Sequence, residues 1–262
     1  MSGRIRLVAS DLDGTLLLNG AQSLQPGTCE LIHRLTRKGI CFLAASGRQY
    51  ANLQRLFAPV RNEIAYMCEN GCLSFFQGEM IYRETMSRSL GQEIMQAIWE
   101  REGCEILLSG VHTSYLQPKK MSYYYHMRDV VKNNVTLVPD IFQVQEEYMK
   151  ISVYEEQGIE HSAPYWRERF GERLTVVTSG NEWLDMMPKG VNKGLGMRKI
   201  MEFLEVSPDE CLALGDNYND IEMLELVGHP IAMKNAVPAV KAICERETDT
   251  VEHVLEELLA VM

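Results

Sequence analysis

The pattern that most constrains this chain is a repeat of two period lengths. A short apolar run of strand length is followed by a segment whose apolar residues recur every three or four positions. Near the start, RIRLVAS reads as a strand. Residues 26–38 then place Leu31, Ile32 and Leu35 on one helical face and stop before Gly39. ICFLAAS (40–46) is apolar throughout, the composition of a strand covered on both faces in a parallel sheet, and a helix carrying Leu53, Leu56 and Phe57 follows it. The other end of the chain repeats the alternation. A helix over 193–204 carries Met197, Ile200, Met201 and Leu204 on one face, and CLALG, a helix over 220–226, PIAM and the amphipathic VEHVLEELLAVM come after it. Alternation at both ends predicts an α/β fold, a doubly wound parallel sheet assembled from the two ends of one chain.

The middle has another character. It holds a helix with Leu90, Ile94, Ala97 and Ile98, a strand EILLSG, an irregular tyrosine-rich stretch KKMSYYYHMRD and a strand MKISVYE. A helix over 164–170 and two strand-like runs, RLTVVTS and WLDMM, complete it. The pattern is α+β with antiparallel pairing, inserted into the first domain. The expected division is a core of 1–81 with 186–262, and an inserted unit of 82–185. Between IAYMC and CLSFF, Asn70-Gly71 supplies the positive-φ residues of a hairpin turn.

Composition narrows the function. Of the 262 residues 46% are hydrophobic, enough for a packed core, and no apolar stretch is long enough for a membrane span. The N-terminus runs straight into a strand, so neither a signal peptide nor a membrane partner is expected. A net charge of −10 offers no basic face for nucleic acid. The seven cysteines are scattered, mostly in apolar runs, as free thiols in a reducing cytoplasm would be; Cys68 and Cys72 lack the second pair of a zinc site.

The charged residues fall where strands end. Asp11 and Asp13 follow the first strand, Ser46, Gly47 and Arg48 the second, and Asp216, Asn219 and Asp220 follow CLALG, while Lys193 opens a helix. In open α/β sheets, ligands bind beyond the carboxyl ends of the strands. Ionised carboxylates at the end of a buried strand are costly without a positive partner. Clustered carboxylates with open oxygens suit Mg²⁺, and a lysine and a serine beside them would hold phosphate oxygens. An aspartate in such a site can act as a nucleophile, and a second carboxylate two residues on can donate a proton and then activate water.

DLDGT (11–15), AASGR (44–48), PKGVNKG (188–194) and LGDNYNDIEML (214–224) resemble the four motifs of the haloacid dehalogenase superfamily. Their order and spacing are similar to its Cof-type branch (type IIB), which carries a large α/β cap between the second and third motifs. The resemblance covers both ends of the chain. It implies a Rossmann-like core, a mobile substrate-reading cap and a Mg²⁺-dependent phosphatase acting on small phosphorylated metabolites, as a monomer or small homo-oligomer. By position, it implies Asp11 as nucleophile and metal ligand, and Asp13 as general acid/base whose backbone carbonyl also touches the metal. Ser46, with Gly47, would bind the phosphoryl group and Lys193 would neutralise it. Asp216 would be the second carboxylate ligand, and Asn219 and Asp220 would orient Lys193 and the metal's waters. The chain departs from the family in having Lys234-Asn235-Ala236 where Gly-Asn-Ala is common, and in lacking a later Gly-Val turn.

Other readings attach to several residues. Chemistry alone leaves Lys189 and Lys193 as rivals, and the family pattern selects Lys193. Arg48 suits a core ion pair or a cleft equally. Tyr123, Tyr124, Tyr125 and His126 suit a buried strand or interface better than a stacking site. Lys119, Lys120 and Arg128 would be needed to hold a second phosphate if the chain were a phosphotransferase or sugar phosphomutase. A further alternative is a binding or regulatory protein without catalysis. Sugar phosphates are the favoured substrates, with nucleotides and flavin mononucleotide next.

Overall fold

The computed structural model describes residues 4–261. The chain begins with β1 (Leu7–Asp11), α1 (Thr28–Arg37), β2 (Cys41–Ala45), α2 (Tyr50–Leu56), β3 (Ala65–Cys68), β4 (Leu73–Phe76) and β5 (Glu79–Arg83). It continues through α3 (Arg88–Trp99), β6 (Cys104–Ser109), β7 (Ser114–Leu116), α4 (Met121–Tyr125), β8 (Val135–Leu137), β9 (Lys150–Glu155), α5 (Ala163–Phe170), β10 (Leu174–Thr178) and β11 (Trp183–Pro188). It ends with α6 (Lys193–Leu204), β12 (Cys211–Gly215), α7 (Ile221–Leu224), β13 (His229–Met233), α8 (Pro238–Ile243), β14 (Arg246–Thr248) and α9 (Val251–Ala260).

Two compact units result, Met1–Tyr82 with Asn192–Met262, and Arg83–Val191. The expected return to the core at residue 186 would cut β11. That strand pairs along its length with β10, from Thr178↔Leu184 to Leu174↔Pro188, and so belongs whole to the second unit.

The first unit is a sheet of order β14-β13-β12-β1-β2-β3-β4-β5. From β14 to β3 neighbouring strands are parallel, and β4 turns back antiparallel on β3. β1 and β2 are buried along nearly their whole length, as uninterrupted apolar runs require. Helices α1 with α9, and α6 with α7 and α8, pack as two groups over it. The chain steps from β1 to β2 and β3 on one side and later from β12 to β13 and β14 on the other. The order therefore reverses beside β1, where this fold class opens a crevice at the strands' carboxyl ends.

The second unit is a six-stranded sheet of order β10-β11-β9-β6-β7-β8. One face packs Ile106, Leu108, Ile151, Val153, Leu184 and Met186 against α3 and α5, with Trp166 and Phe170 fully buried. Two short strands escape the sequence pattern, β7 and β8, and they run parallel to each other. The tyrosine-rich stretch is helical rather than an irregular segment or strand. α4 continues into a wider helical turn over His126–Val130. Tyr123 and Met127, four residues apart, share one helical face and bury against Leu107, Leu116 and Tyr154. Packing with residues distant in sequence decides that segment. The seven cysteines are free thiols, and no helix among the described residues is long and apolar enough to cross a membrane.

Candidate active site

β1 delivers Asp11 at its last position, beside the point where strand order reverses. Lys193 comes to it as the first residue of α6, with Asn192 capping the helix by accepting the Leu195 N–H at 2.8 Å. A cation at a helix N-terminus opposes the helix dipole, and Lys193 is only 1% exposed. Two carboxylates hold it there: its ammonium donates to Asp11 Oδ1 and, at 2.6 Å, to Asp220 Oδ1. The other oxygen of Asp220 accepts the backbone N–H groups of Asp216 and Asn217, both at 3.0 Å. Asp220 thus spends both oxygens on orientation, fixing Lys193 with one and the β12 exit turn with the other.

Asp216 follows β12, and Thr15 donates to its Oδ1 at 2.8 Å. One carboxylate oxygen each from Asp11, Asp216 and Asp220 lies within 4.8 Å of the others. Burial, then the charge of Asp220, pushes the Asp11 carboxyl well above the usual carboxylate range although Lys193 pulls it down. Burial also raises Asp216, against the Thr15 hydrogen bond. For Lys193, burial alone would lower the pKa, but Asp11 and Asp220 outweigh it and hold the ammonium firmly protonated.

Three carboxylates facing one ammonium leave a formal charge of minus two. Asp220 has no oxygen to spare, so the open donors are those of Asp11 and Asp216. A hard divalent cation fits both the residual charge and the all-oxygen donor set.

Asp13 stands apart from this buried cluster, its side chain 57% exposed. Arg48 grips it with both arms of its fork, Nε to Oδ2 at 2.9 Å and a terminal nitrogen to Oδ1 at 2.5 Å. The ambiguity over Arg48 resolves into an ion pair at the cleft. Ser46 is buried at the end of β2, and its hydroxyl oxygen accepts the Arg48 N–H at 3.1 Å, leaving the O–H to donate. Gly47 runs so close to Asn70 that a Cβ would sit 3.0 Å from its amide oxygen. Asn219 donates to that same oxygen at 3.3 Å, and of the pair expected to orient the lysine it is Asp220 that accepts from Lys193. Lys189 lies in the second unit, donating to the Gly171 carbonyl.

Two residues carry more than the sequence reading credited. The β3–β4 turn forms as expected, with Asn70 and Gly71 at φ 55° and 99°, yet Asn70 is also buried against Gly47 and Asn219. A Cβ on Gly71 would meet the Asn192 carbonyl at 2.2 Å, so this turn sets where α6, and hence Lys193, begins. Asn235, in the segment that departs from the family pattern, donates to the Gly14 carbonyl at 2.8 Å and pins the loop after Asp13. The available signal was position: both follow the carboxyl end of a parallel strand.

Gly14 is a sensitive point. At φ 95° a side chain is strained, and a Cβ would lie 2.3 Å from Asp216 Oδ2. Gly14→Ala is expected to displace the Asp216 carboxylate and lower turnover about 100-fold, the cost of a misplacement on the order of 1 Å. Steady-state phosphate release checks it; wild-type turnover would show that Asp216 has room to move.

Residues 8–256 match the haloacid dehalogenase-like hydrolase family. The chain belongs to that family. It is 29% identical over 245 residues to the 5-amino-6-(5-phospho-D-ribitylamino)uracil phosphatase YbjI of Escherichia coli, covering 91% of this chain and 88% of that one. It is 24% identical over 274 residues to the HMP-PP phosphatase of Serratia proteamaculans, covering 97% and 95%. A crystal structure from Eubacterium rectale matches it with a TM-score of 0.89 at 26% identity, over 99% of this chain and 100% of that one. This haloacid dehalogenase-like hydrolase is of the Cof type, an α/β core with an inserted α+β unit. It is a phosphatase.

Proposed function

We propose that this chain is a cytoplasmic, Mg²⁺-dependent phosphatase whose favoured substrates are sugar and polyol phosphates, ahead of nucleotides and flavin mononucleotide. The observation that carries the reading is Lys193, buried between Asp11 and Asp220, with Asp216 alongside and two negative charges left for a divalent cation. Mg²⁺ held by Asp11, Asp216 and the Asp13 backbone carbonyl would neutralise charge on the transferred group. Lys193 fixes one Asp11 oxygen and thereby aims the other at phosphorus. As the new oxygen–phosphorus bond forms on Asp11, the bond to the leaving oxygen breaks, and Asp13 protonates that oxygen. Asp13, now a carboxylate, takes a proton from water, which attacks phosphorus and frees Asp11 with inorganic phosphate. The Arg48 fork holds Asp13 ionised, as its role of base requires, and must release one Asp13 oxygen for the acid step, while the Ser46 hydroxyl donates to a phosphoryl oxygen. Gly47 and Asn219, both beside the Asn70 amide oxygen, complete the phosphate side.

The relatives are named for different substrates, so family membership leaves selectivity to something else. We assign that role to the second unit as a cap. Two of the three cations that a phosphotransferase would use for a second phosphate are engaged elsewhere. Lys119 donates to the Ile98 and Arg101 carbonyls, and Arg128 is paired with Asp129. This supports transfer to water.

Phosphate release from a panel of sugar phosphates, nucleotides and flavin mononucleotide tests the reading. With Mg²⁺ replaced by EDTA, turnover should fall at least ~100-fold and return on adding Mg²⁺, since charge neutralisation by the metal is worth several kcal/mol. Ca²⁺, larger and looser in coordination, should inhibit. Equal rates with and without metal would overturn the proposal.

A further inference from the structure

β5 is the last strand of the first unit's sheet, and among the described residues no strand lies on its outer side. An open edge is a template for another strand, and proteins usually guard it with charges or proline. β5 reads Glu-Met-Ile-Tyr-Arg, charged only at its two ends and with opposite signs. Between them the edge is apolar. Met80 is 36% exposed, and Ile81 and Tyr82 are half-buried.

Hairpin geometry fixes which groups face outward. Gln77 and Gly78, at φ 51° and 86°, are the two positive-φ residues of a type I′ turn, so Phe76 and Glu79 close it as a hydrogen-bonded pair. Bond direction alternates along a strand. Glu79 and Ile81 therefore bond toward β4, while the N–H and C=O of Met80 and Tyr82 point along the outer side of the sheet. Side chains alternate as well, which puts Glu79, Ile81 and Arg83 on the face that Phe76 shares. There Phe76 meets the ring of Phe203, on α6, at 5.9 Å. Phe203 is 52% exposed, so an apolar patch lies beside the edge.

We infer that β5 is the interface of a two-fold symmetric dimer, in which it pairs antiparallel with β5 of a second copy about Ile81. In that register Met80 stands across from Tyr82, and the two exchange both backbone hydrogen bonds. Ile81 meets Ile81 of the second copy in the closer, non-hydrogen-bonded row. Glu79 stands across from Arg83, and symmetry makes the pair twice. Arg83 Nη1 already lies 3.1 Å from Glu147, and a guanidinium has N–H donors enough for two carboxylates. The charges select both the partner and its direction. Parallel pairing in register would set Glu79 beside Glu79 and Arg83 beside Arg83, and a strand without matching charges would leave both unanswered. The contact uses the same patch on both copies, so it closes at two chains.

The test is sedimentation equilibrium of the full-length chain from about 1 to 200 μM, the range suited to a small interface. The mass should rise with concentration from the 29.9 kDa of one chain to twice that. Glu79→Arg sets like charges across both ends of the pairing and should raise the dissociation constant at least ~10-fold. Glu79 is exposed, and an unchanged far-UV circular dichroism spectrum shows that the variant is folded. Adding Arg83→Glu to the same chain re-forms each pair with its signs exchanged and should bring the constant back to within about threefold of wild type. An equimolar mixture of the two single variants should associate more tightly than either alone. Wild-type chain that stays at 29.9 kDa throughout would overturn the inference and leave the edge to a different protein. A dimer indifferent to Glu79→Arg, a loss that Arg83→Glu does not restore, or growth beyond two chains would overturn it as well.

Discussion

Asp11→Asn is expected to lower phosphate release by at least ~10⁴-fold, the scale of losing a nucleophile that acts as a unit with its neighbours. The amide is isosteric, so packing at the end of β1 is kept. The variant also removes one of three carboxylates from a cluster that carries excess negative charge, while Asp220 still holds Lys193 at 2.6 Å. Its thermal midpoint should therefore stay within a few degrees of wild type. Rapid quenching and mass spectrometry extend the test. In Asp13→Asn, where breakdown of the phosphorylated enzyme is slowed, a phosphate-sized mass should accumulate on the peptide holding Asp11 and be absent from the double variant. Substantial turnover by a folded Asp11→Asn protein would remove Asp11 from the nucleophile's role.

Lys193→Met is expected to cost both activity and fold. The ammonium is fully buried between two carboxylates, so its removal leaves them facing each other and Asp216 without a counter-charge. Breaking a buried ion pair from one side typically costs about 3–5 kcal/mol. Urea unfolding at neutral pH should show a lower midpoint with an unchanged slope. Two changes of condition should restore part of the loss. Mg²⁺ binds the folded state and replaces the missing positive charge. Acid also helps, by a sign that can be worked out. Without the ammonium the carboxylates' folded-state pKa values lie above their unfolded ones, so the folded state binds protons more readily and gains stability as pH falls. A variant as stable as wild type at neutral pH would mean the carboxylates find another partner, and the electrostatic account of the site would fail.

Much of the core was legible because its determinants are local. The runs around Leu7–Ala9, Cys41–Ala45 and Cys211–Leu214 are apolar without interruption, which demands strands covered on both faces, and the polar groups that follow them mark the carboxyl ends of a sheet. The start of α6 was equally plain, because Asn192 is a capping residue standing just before an apolar face of helical period. Other features were illegible because they depend on residues far apart in the chain. Asn70 reads locally as a turn residue, and its second role comes from Asn219, 149 positions away. Asn235 holds the Gly14 carbonyl across 221 positions. The tyrosine-rich segment has weak local preference, and the surface offered by Leu107, Leu116 and Tyr154 makes it a helix.

The sequence by itself determined where the core strands end and which polar side chains follow each end, since period and punctuation are properties of neighbouring residues. Only the tertiary structure decided which carboxylate grips Lys193, that Arg48 holds Asp13, and that β5 is the strand left at the sheet's edge. Those are choices of partner, and a partner is chosen by how strands register and sheets close, which no stretch of neighbouring residues encodes alone.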